Sequence, residues 1–163
     1  MFSFFKRFKS IPFSTSLKSI ISESRLEAIR LQNDYIDVGH FMLAILTVPD
    51  SSAAVALNQL LVSPMLFQQR LETTLAGNRI NPSQPPPTGS IPLTLELEES
   101  FGRMGRVARE LNAVELEAIH TLMPLLVNPN SSGARVCAEF GLTFNVLLNY
   151  LAKSSPTTLA RGN

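Results

Sequence analysis

The chain has 163 residues, a formal charge of +1 and a single cysteine. Apolar residues at 45% and charged residues at 17% fit a folded domain with a sizeable core rather than a disordered chain. The near-neutral balance argues against a dedicated nucleic-acid binder, a lone cysteine excludes an internal disulfide, and no apolar run approaches the ~18 residues of a membrane span.

The first twelve residues interleave Phe2, Phe4, Phe5 and Phe8 with Lys6, Arg7 and Lys9. They are read as a phenylalanine-rich, basic extension, since no signal-peptide core or cleavage site follows. Three destinations stay open for it: folding back on the core, docking in a partner's groove, or touching an anionic membrane surface, with membrane contact ranked last.

From residue 13 the pattern is helical. Ser14 caps a helix with Leu17, Ile21, Ala28 and Leu31 at three- and four-residue spacing, and Gln32-Asn33-Asp34 ends it. Asp37 stands as N-cap before Phe41-Met42-Leu43-Ala44-Ile45-Leu46, a run apolar on nearly every side and so predicted to be buried. Pro49 stops that helix. Ser51 or Ser52 caps a third helix to Leu60, and Ser63-Pro64 opens a fourth to about Ala76.

Residues 77–92 contain Pro85-Pro86-Pro87 and read as an extended linker that stays out of the core. The plan then starts again. Thr94 is the predicted cap of a helix to about Leu111, a buried helix spans about Glu117 to Val127, and Ser131 or Ser132 caps the next. Gly141 suits a left-handed position, and Thr143 caps the last helix. Pro124, inside the second buried helix, is expected to cost a hydrogen bond and kink it. A polar tail closes the chain from residue 153.

A gapless shift of 80 residues lays 13–71 over 93–151. It matches Leu17 to Leu97, Ala28 to Ala108, Pro49 to Pro129, Leu71 to Leu151 and the only histidines, His40 to His120. An internal duplication predicts an all-α fold of two four-helix repeats related by a pseudo-two-fold axis, with function on the seam and on the exposed faces. Repeat one is read as 13–76 and repeat two as 93–152.

Ala28, Leu31 and the block from Tyr35 to Leu46, with their second copies Ala108, Leu111 and Leu116 to Leu126, resemble the Clp N-terminal domain at the front of Clp/Hsp100 unfoldase ATPases. The usual Thr-Glu before the histidine is Val38-Gly39 in one copy and Ala118-Ile119 in the other. The resemblance implies a non-catalytic, protein-binding module and, for the histidines, a structural role. The residues themselves leave a metal or pH-sensing role for the pair open.

No phosphate loop, nucleophile elbow or histidine–carboxylate metal spacing occurs in the chain. With these motifs absent, the resemblance implies a stand-alone adaptor or accessory subunit of a Clp unfoldase–protease system, and the expectation is a cytoplasmic protein with no cofactor, no metal and no nucleic acid. It would bind Clp subunits or their substrates. A scaffold without Clp contact and a small-ligand binder at the seam are the alternatives.

Arg103, Arg106 and Arg109 form the candidate contact strip, with Gly102 and Gly105 thinning the side-chain cover between them. They would suit an acidic or phosphorylated partner, unless Glu96, Glu99 and Glu110 neutralise them. Cys137, in an apolar helical stretch, is read as a buried inert thiol.

Overall fold

The computed structural model describes residues 11–79, 83, 85 and 88–154. Eight helices lie among them: α1 (Thr15–Arg30), α2 (Val38–Leu46), α3 (Ser52–Leu60), α4 (Pro64–Ala76), α5 (Leu95–Glu110), α6 (Ile119–Val127), α7 (Ser132–Glu139) and α8 (Phe144–Ser154). Small polar side chains set most starting points. The hydroxyls of Ser14, Ser51, Ser63 and Ser131 accept from the backbone N–H three residues on, and Asp37 accepts from Gly39.

α1 and α5 end alike. Gln32 and Asn112 adopt φ of 59° and 54°, and the next residues, Asn33 and Ala113, donate back to the carbonyls of Ala28 and Ala108 at 2.9 and 2.8 Å. This pairing closes a helix end with a left-handed residue. Each repeat then packs its first helix on its second, α1 on α2 and α5 on α6. α2 is buried from Val38 to Ile45 and α6 from Ile119 to Leu126, as their all-round apolar pattern requires.

Backbone exchange ties the halves together. Ser14 and Leu116 donate to Leu116 O and Pro12 O, at 2.9 and 2.7 Å; Thr94 and Ile36 donate to Ile36 O and Pro92 O, at 2.9 and 2.8 Å. The 80-residue shift turns one pair of bonds into the other, so the segment ahead of each repeat pairs with the helix–helix loop of its companion. The two parallel bridges, Phe13 with Leu116 and Ile36 with Leu93, are the only β pairing among the described residues. Further contact comes from α3 against α8 and α6, and from α4 against α7. Phe67 and Phe140 meet edge-to-face there at 5.5 Å.

One contact on this seam is unusually close. A Cβ on Gly133 would lie 2.6 Å from Cγ1 of Val38, so α7 can approach α2 only through a glycine.

Three expectations need correcting. The end of the linker joins the core: Ile91 is 2% exposed, because Pro92 must reach Ile36 to complete the exchange. Thr94 occupies the N-cap of α5, yet its hydroxyl makes no cap bond and is buried without a partner among the described residues. Glu96 and Glu98 in the first turn offset the loss by complementing the helix dipole. α6 begins two residues later than expected, at Ile119. Asp37 is short enough to cap its own helix, whereas the longer Glu117 carboxylate reaches away to accept from the Ser52 hydroxyl.

Candidate functional site

Along the exposed side of repeat two, α5, α6 and α8 do not close completely. Arg103, Arg106 and Val107 on α5, Met123 and Pro124 on α6, and Phe144 and Leu148 on α8 line a cavity of about 480 Å³. Its floor is apolar because these residues face the helix junction. Its rim is basic because Arg103 and Arg106 stand one turn apart on the exposed face of α5. Glu110 supplies a carboxylate at the end of the rim. Two exposed apolar residues, Val127 (55%) and Leu148 (42%), extend the surface outward.

Pro124 also shapes this groove. It lacks an amide hydrogen, so the carbonyl one turn earlier loses a helical partner, while its ring adds to the lining. Of the three arginines named from the sequence, the fold brings Arg103 and Arg106 to the cavity, and Arg109 lies outside its lining in the last turn of α5. Phe2, Phe4, Phe5 and Phe8 lie outside the described residues. Met123 and the α8 side chains were not singled out from the sequence, and Pro124 was noted only as a helix breaker; Phe144 and Leu148, four residues apart, were the available signal.

The histidines are built into the helix starts. His40 Nδ1 accepts from Asp37 N–H at 2.9 Å, which leaves the proton on Nε2 to donate to Asn33 Oδ1 at 2.8 Å. Asn33 in turn donates to the carbonyls of Leu75 and Asn78, at 3.2 and 2.9 Å. Burial drives the His40 pKa down to about 4, helped by the nearby Arg30 charge. His120 repeats the first contact, accepting from Glu117 N–H at 2.9 Å, and burial also lowers its pKa. Its Asn33 counterpart is Ala113, so Nε2–H finds no acceptor among the described residues. No group of three or more metal-ligating side chains occurs among them either.

Cys137 is fully buried, its thiol directed at Met42 Sδ at 3.5 Å, and burial pushes its pKa up to about 12. A thiol so held is a poor nucleophile at neutral pH. Among the described residues no helix is long and apolar enough to cross a membrane.

The fold matches solved N-terminal domains along almost the whole chain. The Hsp104 N-terminal domain from Candida albicans is 17% identical with a TM-score of 0.70, covering 89% of this chain and 93% of that one. The ClpV N-domain from Vibrio cholerae is 16% identical with a TM-score of 0.63, covering 94% and 92%. A ClpV N-domain solved in complex with a VipB peptide is 17% identical with a TM-score of 0.61, covering 89% and 90%. No curated protein matches the sequence significantly. The Clp repeat (R) N-terminal domain family matches residues 12–140, and with the duplicated helices and their paired histidines this settles the affiliation: the chain belongs to the Clp repeat (R) N-terminal domain family.

Proposed function

We propose that this chain is a non-catalytic protein-binding module, an adaptor or accessory subunit of a Clp unfoldase–protease system, and that it takes an acidic, amphipathic segment of a partner in the groove between α5, α6 and α8. The observation that carries this reading is one cavity with an apolar floor and Arg103 and Arg106 on its rim. Apolar side chains of the segment would gain about 25 cal/mol per Å² buried, less the cost of association, which gives affinity on the order of micromolar. The arginines would select carboxylates and speed encounter. The ClpV N-domain solved with a VipB peptide supports peptide binding by a domain of this fold.

The test is direct binding of the full chain to the purified Clp ATPase of its host, by biolayer interferometry, alongside an Arg103→Glu/Arg106→Glu variant. Binding that weakens at least tenfold in the variant, and falls with added salt, supports the groove. Equal binding by both chains moves the site elsewhere, and no binding by either removes the adaptor reading.

A further inference from the structure

A second cavity, of about 510 Å³, opens where α3 of repeat one meets the α5–α6 loop and the end of α8. Val55, Val114 and Tyr150 give it an apolar wall. Glu115 and Glu117 bring two carboxylates, with no lysine or arginine among the described lining residues. The volume is that of a binding site, and its lining shares no residue with the groove of Arg103 and Arg106.

His120 stands at the inner end. It is 5% exposed, and its Nδ1 accepts from Glu117 N–H at 2.9 Å, which places the proton on Nε2 at the opposite edge of the ring. In repeat one the same donor is taken up by Asn33 Oδ1, and Asn33 is itself held by the carbonyls of Leu75 and Asn78. The 80-residue shift sets Ala113 in place of Asn33. That exchange removes the acceptor together with most of the side chain that would fill the space. Repeat one is closed on itself here, whereas repeat two keeps a buried donor beside a cavity.

The surroundings define what would satisfy that donor. Two carboxylates without a basic neighbour disfavour an anion, so a neutral carbonyl is the fitting acceptor. A positive charge beside it would gain from Glu115, which is exposed and makes no ion pair among the described residues. Val55 and Val114 are 40% and 84% exposed. A chain segment crossing the mouth would cover this apolar surface, and a small molecule held inside would leave it wet.

We propose that this cavity is a second protein-docking site, for a basic, apolar segment of a partner. A backbone carbonyl of the segment accepts from His120 Nε2–H, a lysine or arginine lies against Glu115 and Glu117, and an apolar side chain packs on Val55, Val114 and Tyr150. Its charge preference is opposite to that of the groove between α5, α6 and α8, so the two sites take different segments and act independently.

The chain has only two histidines, so nitrogen-15 labelling of the imidazoles in the full chain gives an NMR signal for His120 with His40 as internal control. The probe is a pool of capped hexapeptides with lysine or arginine at the third position and leucine, phenylalanine or valine elsewhere. In the free chain the His120 Nε2–H should exchange with water many-fold faster than that of His40. The pool should slow this exchange and shift the signal saturably, leave His40 unmoved, and act equally on an Arg103→Glu/Arg106→Glu chain. Glu115→Lys, an exposed substitution, should weaken the response roughly fivefold or more by setting like charge against like. Ala113→Asn should make the His120 signal resemble that of His40 and end its response. No response to the basic pool would overturn the proposal, as would an equal response to the same pool carrying glutamate, or one unaltered by both substitutions. His120 as protected as His40 in the free chain would also overturn it, and protection that grows with protein concentration would make the occupant a second copy instead.

Discussion

At Gly133 a single missing methyl decides how closely the repeats approach. An added Cβ would press on Val38 Cγ1 at 2.6 Å and on Glu96 Oε1 at 3.2 Å, and Val38 is fully buried with a stiff, β-branched side chain. Gly133→Ala should therefore destabilise the protein by about 1–3 kcal/mol despite its better helix propensity, read from urea unfolding. Adding Val38→Ala should recover much of the loss, because that pair reproduces Ala118 and Ala53 at the equivalent positions. His40 gives a second outcome at this scale. Its folded pKa, about 4, lies below the unfolded value near 6.5. Stability from the neutral ring is thus complete above about pH 6.5 and is lost as pH falls towards 4, by at most about 3 kcal/mol. A His40→Gln variant should flatten that slope in pH-dependent denaturation. Asn33→Ala should cost about 1–3 kcal/mol by leaving the His40 donor buried and unpaired.

Helix α6 shows what one residue does to an element. Pro124 stands where repeat one has Ala44, and it breaks a hydrogen bond in a helix buried from Ile119 to Leu126. Pro124→Ala should raise the melting temperature, the restored bond outweighing the added freedom of the unfolded chain. The same change removes part of the groove lining and should weaken partner binding at Arg103 and Arg106. Helix limits were largely legible in the sequence because Ser51, Ser63 and Asp37 act through contacts only two or three residues away. Thr94 misled because a hydroxyl at an N-cap position need not turn towards its own helix. The arginine strip was legible as spacing but not as geometry. Three residues turn a helix by 300°, so each step drifts about 60° backwards, and two steps carry Arg109 clear of the cavity that Arg103 and Arg106 share. The opposite wall comes from α8, some forty residues on, and no local pattern announces that contact.

Over the whole molecule, buried residues of both repeats form one continuous cluster, from Leu17 to Leu147. The two halves should therefore unfold together, with calorimetric and van't Hoff enthalpies in agreement. Residues 11–79 expressed alone should fail to give a cooperative transition, since Ile36 and the segment ahead of α1 would lose their backbone partners. The duplication predicted this pairing of halves in outline. It could not show that Ile91 would be drawn into the core, because only the exchange of backbone hydrogen bonds makes that end of the connector structural. That exchange is reciprocal, and nothing in its four hydrogen bonds requires both repeats to belong to one polypeptide. The connector merely keeps the second copy at hand. Shortened until it no longer spans, it would leave each repeat to close the same bonds with a neighbouring chain, giving a domain-swapped dimer in which the pseudo-symmetry has become true symmetry.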